Sequence, residues 1–271
     1  MASKDYLVDL NCKLIKLPSS RWYETPDGNF ASVTTKLGVY SKPGLETWKI
    51  ELAKKGVDPK DVSTKNMDEG SAVHKLTELY DMGEEVSFYD EEGNENYEFW
   101  GTWVPFIRYT NFVKELNAKP ILIEQTVWSK EHGYAGTLDR ISIIDNPKTG
   151  KRELALIDIK RAASAPPDYH WQLSAYKKAV EEMVISNNNP ALDDFKKFYI
   201  NGTAGFTEIK TYLLLLNVDT KKGWRLTEVT DIEEKFSIFL NCNSLWDKTN
   251  PNFDFSLREY PIKIKKGVEI E

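Results

Sequence analysis

Residues 136–160 read GTLDRISIIDNPKTGKRELALIDIK, and this stretch decides the fold. Two runs of β-branched and apolar residues lie on either side of a turn that contains Pro and Gly, which predicts a β-hairpin. The turn is centred near Lys148 and Thr149, so a simple register places Asp139 opposite Asp158. Opposed side chains have Cβ atoms only about 4.5–5.5 Å apart, a distance at which like charges destabilise a sheet. The pair therefore predicts a divalent cation such as Mg²⁺ or Mn²⁺, which selects oxygen ligands.

Asp158 and Lys160 are two positions apart in the second strand, so their side chains point to the same side of the sheet. Asp158 would then bind the cation, and the backbone carbonyl of Ile159 would offer a further oxygen ligand. Lys160 would contact a reacting phosphate or the attacking water, which is an arrangement suited to phosphoryl chemistry. The alternative is an ordinary Asp–Lys ion pair at a strand end, and these two residues alone favour that alternative.

The rest of the chain predicts an α/β fold, with a central mixed β-sheet flanked by helices and an N-terminal hairpin and helix. An Asp27-Gly28 turn joins strands at about 21–25 and 30–35, and Pro43 opens a helix to about Lys55. The other elements follow in chain order. Helices are predicted at about 68–82, 100–116, 168–185 and 231–246, and strands at about 121–128, 134–144, 153–160, 210–217 and 224–229.

Three of these elements carry more specific expectations. The run 212–216 predicts a central strand that is buried on both faces. Asp231 is expected to cap the last helix. The aromatic residues of helix 100–116, which include Trp100, recur at helical spacing, which favours core packing over base stacking. We assign residues 1–66 to an N-terminal hairpin and helix subdomain and residues 67–271 to the core.

The chain has 36 Lys and Arg against 42 Asp and Glu, a formal net charge of −6. Bulk attraction to nucleic acid is therefore excluded, and any DNA contact has to be local. Two cysteines, Cys12 and Cys242, lie in a chain without a signal-peptide pattern or an apolar run long enough to span a bilayer. We expect a reduced cytoplasmic location and no membrane partner. Two thiols also cannot supply the four ligands of a typical iron–sulfur cluster.

Several fragments in chain order resemble one known family. Residues 136–140 (GTLDR), residues 158–160 (DIK) and residues 172–176 (QLSAY) together resemble the PD-(D/E)XK nuclease superfamily. Residues 70–74 (GSAVH) are similar to the Gly-x-x-x-His helix of its RecB-type exonuclease branch. The N-terminal stretch resembles phage-encoded members of that branch, so the resemblance extends from about Arg21 to Tyr176. It implies a restriction-endonuclease-like core.

The resemblance implies a metal-dependent DNA exonuclease of phage-type DNA processing, recombination or repair, which would work in the host cytoplasm if the chain is viral. Its ion, Mg²⁺ or Mn²⁺, would be bound by His74, Asp139, Asp158 and the Ile159 carbonyl. Lys160 would orient the attacking water, and Gln172 would organise the site. The remaining candidates are weaker: Glu124 and Tyr176 for the site, and Arg161 and Lys177 for the DNA backbone.

The sequence departs from the family pattern at two points. Asp158 stands where many relatives have Glu, and the chain lacks the four-cysteine cluster of several relatives, so no iron–sulfur cluster is expected. Two alternatives stay open: a catalytically silent DNA-end-binding recombination partner with the same fold, and a hydrolase of small phosphate esters. Candidate partners are DNA, a recombination or replication protein, and further copies of this chain.

Overall fold

The computed structural model describes residues 10–17, 19–186 and 208–250. Their eight strands form two sheets. The N-terminal sheet contains β1 (Lys13–Lys16), β2 (Arg21–Thr25) and β3 (Gly28–Ala31). The central sheet contains β4 (Lys119–Ser129), β5 (Tyr134–Asp145), β6 (Arg152–Lys160), β7 (Ile209–Leu215) and β8 (Arg225–Glu228).

Six α-helices accompany these strands in the described residues. They are α1 (Val33–Lys36), α2 (Pro43–Lys54), α3 (Pro59–Met82), α4 (Val104–Glu115), α5 (Pro167–Ser186) and α6 (Ile232–Thr249). A 3₁₀ turn spans Leu37–Val39, and a π-helical turn at Phe99–Trp103 precedes α4. None of the helices in the described part of the chain combines the length and the apolar character that crossing a membrane requires.

The central sheet has the order β4-β5-β6-β7-β8 and is mixed, as predicted. The pair β6–β7 is parallel, and the other neighbours are antiparallel. The predicted hairpin register is confirmed, because Asp145 pairs with Arg152 and the ladder continues to Arg140 and Ile157. Asp139 and Asp158 are the next residues of the two strands, at the end where the ladder stops.

Helices cover both faces of the central sheet, which makes three layers. On one face, α5, α6 and the N-terminal sheet surround a core that includes Tyr23, Leu156 and Phe239. On the other face, α3 and α4 pack through residues such as Val73 and Phe112. Strand β7 lies between β6 and β8 with almost all of its side chains buried, which confirms the prediction of a central strand.

The N-terminal region differs from the sequence-based expectation in two places. The second strand of the hairpin ends at Ala31, because the Ser32 side chain accepts a hydrogen bond from the Thr35 backbone N–H and starts α1. Helix α3 begins at Pro59, nine residues before the predicted start, because the Asp58 side chain caps it by accepting from the Lys60 N–H. The assigned boundary after residue 66 falls inside α3. The division into subdomain and core stays a prediction.

Two expectations for other helices are wrong in detail. Asp231 precedes α6, but its side chain makes no capping hydrogen bond and its backbone is left-handed, with a φ of 54°. Phe112 lies in the core, whereas Trp100 is 73% exposed, so core packing does not explain every aromatic residue of this segment. Trp100 lies in the π-helical turn that precedes α4 and not in α4 itself. Gly101 lets this turn approach α3, because a Cβ at Gly101 would meet the Glu69 carboxylate.

Candidate metal centre

The candidate site lies at an opening in the central sheet, where the β5–β6 ladder ends after the pair Arg140–Ile157. At this point the Ile159 N–H donates to Asp139 Oδ2 at 2.6 Å, so a side-chain carboxylate takes the place of a strand carbonyl. The N–H and C=O of one strand residue point to the same side. The Ile159 carbonyl is therefore directed toward the same opening, as a ligand would be. Its role in binding an ion stays a prediction.

Three side chains from three different elements converge at this opening. His74 on α3, Glu124 on β4 and Asp139 on β5 place one ligand atom each within 4.8 Å of one another. His74 Nδ1 lies 3.6 Å from Glu124 Oε1 and 3.7 Å from Asp139 Oδ1. The sequence supported Glu124 only weakly, yet the structure places it beside the two stronger candidates. One imidazole and two carboxylates form a donor set that fits Mn²⁺ or Mg²⁺.

Glu124 reaches the opening through an irregular backbone. It has a φ of 47°, a left-handed value that residues other than glycine seldom adopt. The register passes from the pair Ile123–Arg140 to the pair Gln125–Leu138 and omits Glu124 opposite Asp139. Such backbone strain costs about 1–3 kcal/mol and clusters at functional sites. The strain thus marks Glu124 as a residue held in place by its surroundings.

Asp158 and Lys160 form a buried ion pair next to this cluster. Lys160 Nζ donates to Asp158 Oδ1 at 3.1 Å and lies 2.9 Å from Oδ2, which has no well-aligned donor of its own among the described residues. Burial raises the Asp158 pKa to about 6, against the attraction of Lys160. Burial alone would lower the Lys160 pKa, but Asp158 and Asp139 raise it above its ordinary value. Lys160 is therefore an ammonium ion at neutral pH.

Helix α5 fixes Lys160 from the other side. Gln172 Oε1 lies 3.5 Å from Lys160 Nζ, and Gln172 Nε2 donates to the Tyr176 hydroxyl at 3.0 Å. The Tyr169 ring lies under the same ammonium, with its centroid 4.8 Å away. Tyr176 is fully buried and packs on Gly136, where a Cβ would approach its ring to 2.4 Å. Gln172 and Tyr176 are four residues apart on α5, so they share one helix face, and that face is directed toward the site.

The charge of His74 follows from its neighbours. Burial alone would lower the His74 pKa, but the Asp139 and Glu124 carboxylates raise it above its ordinary value. The negative charge of the two carboxylates favours a proton on the imidazole between them, and the same charge would favour a bound cation. The cluster therefore has the negative potential that a divalent ion would neutralise.

A second layer of charged side chains lies behind the cluster, and sequence reasoning missed most of it. The buried Arg140 guanidinium donates to Glu124 Oε1 at 3.1 Å, to the Asp139 carbonyl at 2.6 Å and to Asp81 Oδ2 at 2.6 Å. The Tyr109 hydroxyl also donates to Asp81 Oδ2, at 2.5 Å. Burial raises the Asp81 pKa, against the attraction of Arg140. Strand alternation points the Arg140 side chain to the sheet face opposite that of Asp139, but alternation alone does not show which residues lie on that face.

The two weaker DNA-binding candidates both have acidic partners within the protein. Arg161 Nη2 donates to Asn66 Oδ1 at 2.7 Å and forms an ion pair with Glu69. Lys177 lies 3.7 Å from Glu181, one turn further along α5. Their contact with nucleic acid stays a prediction. Arg140 is excluded as a phosphate ligand, because its side chain is 1% exposed and bound by carboxylates.

Comparison with known proteins does not identify the family. No protein-family model matches the chain, and no curated protein matches it either.

Proposed function

We propose that this protein is a Mg²⁺- or Mn²⁺-dependent deoxyribonuclease of the PD-(D/E)XK type, with a restriction-endonuclease-like core. The observation that carries the proposal is the convergence of four separated sequence segments on one opening in the sheet. His74, Glu124 and Asp139 supply a donor set for a divalent ion, and the Asp158–Lys160 pair lies beside it. If the Asp158–Lys160 pair were purely structural, it would not need a His74 imidazole and two further carboxylates beside it.

The chain's own residues divide the work of phosphodiester hydrolysis. A bound divalent ion supplies charge stabilisation at the phosphoryl group and a lowered pKa for water. His74, Glu124 and Asp139 would hold it, and the neighbouring Asp158 would add a further carboxylate. Lys160 stays protonated beside Asp158 and Gln172, so it can orient the attacking water and offset negative charge that develops on the phosphate. Contacts of this kind act on the phosphate and carry no base specificity.

The proposed exonuclease activity requires free DNA ends. Purified protein is incubated with linear and with covalently closed circular DNA in the presence of Mg²⁺ or Mn²⁺. We expect loss of the linear DNA alone. Degradation of both forms would indicate an endonuclease rather than an exonuclease. No cleavage with either ion would contradict the nuclease proposal. If the protein hydrolyses a small phosphate ester and duplex DNA does not inhibit that hydrolysis, the small-ester hydrolase would be favoured.

Two variants separate ion binding from chemistry. Asp139→Asn should lose both Mn²⁺ binding, measured by calorimetry, and DNA cleavage. Lys160→Gln should retain Mn²⁺ binding within about threefold but lose at least 10²-fold in cleavage rate, since removal of one charge-stabilising donor typically costs 10²–10³-fold. Lys210→Gln is the matched control, because Lys210 lies on the neighbouring strand and pairs with Glu208. A silent DNA-end-binding protein would bind DNA ends equally well with and without Lys160 and would cleave in neither case.

A further inference from the structure

Segment 76–107 differs in charge from the rest of the chain. It contains nine acidic residues and no Lys or Arg, which leaves 33 acidic residues against 36 Lys and Arg elsewhere. The net charge of −6 therefore arises from this segment, and the remainder is slightly basic. Such a segment repels phosphate over a distance of about 10 Å at ordinary ionic strength.

The same segment exposes large aromatic side chains. Trp100 is 73% exposed, Tyr89 is 54% exposed and Phe99 is 43% exposed. They are contiguous, because the Phe88 ring lies 4.9 Å from Tyr89 and 5.7 Å from Phe99, and Phe99 lies 5.1 Å from Trp100. Three exposed carboxylates, Glu91, Glu92 and Glu95, belong to the loop between Tyr89 and Phe99. We call these six exposed side chains the acidic aromatic surface.

Local hydrogen bonds hold this surface in shape. The Asn96 N–H donates to the Phe88 carbonyl at 2.9 Å, and the Asp90 N–H donates to the Asn94 carbonyl at 3.0 Å. Asp90 Oδ1 also accepts from the backbone N–H groups of Glu92 and Asn94. A surface that is already ordered loses little conformational entropy when it binds a partner. Exposed Trp and Tyr side chains in such a setting are typical anchors of protein–protein interfaces.

We propose that the acidic aromatic surface binds a basic segment of another protein that has an apolar face. Apolar residues of that segment would cover Trp100, Phe99 and Tyr89, and its Lys or Arg side chains would pair with the surrounding carboxylates. The negative charge of the surface favours a basic protein segment over nucleic acid and over a second copy of this chain. Nucleic acid would bring phosphates against Glu91, Glu92 and Glu95, and a twofold-symmetric pair of these surfaces would bring two acidic loops together. The inference does not depend on the nuclease proposal.

A synthetic 14-residue peptide of lysine and leucine at helical spacing tests the proposal. Its binding to the full chain is measured by fluorescence anisotropy, with a glutamate and leucine peptide of the same pattern as a comparison. We expect the basic peptide alone to bind, with an affinity that decreases as salt is raised. Trp100→Ala should weaken binding roughly 30-fold, the effect of losing an interface anchor. Replacing Glu91, Glu92 and Glu95 with Gln should remove most of the salt dependence.

Leu245→Ala is the matched control, because Leu245 is 50% exposed on α6 and lies outside this surface. Equal binding by the Trp100→Ala and Leu245→Ala proteins would overturn the proposal. A change in sedimentation of the protein alone on Trp100→Ala would assign the surface to self-association instead. Loss of single-stranded oligonucleotide binding by the same variant would assign it to nucleic acid. Thermal unfolding followed by circular dichroism verifies that each variant is folded.

Discussion

Arg140 connects the candidate metal centre to the interior of the protein. Its guanidinium contacts Glu124 on one side and Asp81 on the other. A buried cation needs a buried counter-charge, since an unpaired charge in the interior is strongly destabilising. Asp81 and Glu124 share that role, and Asp81 makes the shorter contact with Arg140. Because Asp81 takes part of the attraction of Arg140, the Glu124 carboxylate is more available for a divalent ion.

This division of charge predicts a distant effect on metal binding. Asp81→Asn removes the counter-charge from Arg140, which should then hold Glu124 more tightly. We expect Mn²⁺ affinity, measured by calorimetry, to fall about tenfold, the lower end of what loss of an outer-shell partner costs. Lys75→Gln on the same helix is the control, because Lys75 is exposed and pairs with Glu78. Unchanged Mn²⁺ affinity in Asp81→Asn would show that the Arg140 network serves stability alone.

Gly136 supports the site through the space that it leaves for Tyr176. Gly136→Ala would force the Tyr176 ring to move, because the added Cβ lies 2.4 Å from it. We expect a loss of about 1–3 kcal/mol in the free energy of unfolding, measured with urea. Gly70→Ala is the control, since apart from the backbone of helix α3 itself nothing lies within 4 Å of the added Cβ. It should instead raise stability by about 0.5–1 kcal/mol. A Gly136→Ala protein as stable as the starting chain would contradict the close packing of Tyr176 on Gly136.

Much of the candidate site follows from sequence at the residue scale, but not its outer layer. Hairpin register places Asp139 near Asp158, and period-2 alternation places Lys160 beside Asp158. Helical spacing puts Gln172 and Tyr176 on one face. The position of Asp81 does not follow, because it depends on how α3 packs across the sheet rather than on spacing within one element. Glu124 could be predicted only weakly as a site residue. Strand alternation assumes a regular backbone, whereas the backbone of Glu124 is left-handed.

At the scale of elements, the distortion in β4 should determine whether a glycine or an alanine variant at position 124 is more stable. Glu124 has a φ of 47°, so Glu124→Gly should be more stable than Glu124→Ala by roughly 1 kcal/mol, because glycine relieves the left-handed strain. Thr126 is the matched control on the same strand, where it is regularly paired and equally half-buried. There glycine should be less stable than alanine by about 0.5–1 kcal/mol. The same order of stability at both positions, measured by urea unfolding, would count against strain at Glu124.

The elements that sequence predicts best are those with a strong periodic pattern. Strands β4 to β7 and helices α2 and α5 lie close to their expected bounds, because apolar periodicity and turn residues mark them. The short helix α1 replaces a predicted strand. The β-branched residues Val33, Thr34 and Thr35 led to the strand prediction, whereas the Ser32 cap favours a helix. The π-helical turn also carries no periodic signal, so the exposure of Trp100 within it was not predictable.

At the scale of the whole molecule, the N-terminal sheet completes the core of the central sheet. Tyr23 packs into that core, and its hydroxyl lies 2.9 Å from Thr137 Oγ1, next to the site. Asp27 in the predicted hairpin turn accepts from Trp128 Nε1 at 2.9 Å and from Lys130 Nζ at 2.9 Å. These contacts tie the N-terminal sheet to β4 and β5.

A chain truncated to residues 67–271 should therefore fail to unfold cooperatively. Truncation exposes the core face that Tyr23 covers and cuts α3 before His74. We expect a broad thermal transition by circular dichroism. As a control, replacement of α2 (Pro43–Lys54) by a short flexible linker should preserve a cooperative transition, because no residue of α2 is buried. A cooperative transition in the truncated chain would instead establish residues 67–271 as an independent domain.

The bond between the Ile159 amide and the Asp139 carboxylate gives this protein an internal reporter. In a sheet, a backbone amide normally donates to a carbonyl that no ligand perturbs. Here the acceptor belongs to the cluster that would bind the ion, so any change in electron density on that carboxylate reaches the amide directly. The nitrogen and proton resonances of this single amide, and its rate of exchange with deuterium, should therefore follow site occupancy in titrations with diamagnetic Mg²⁺.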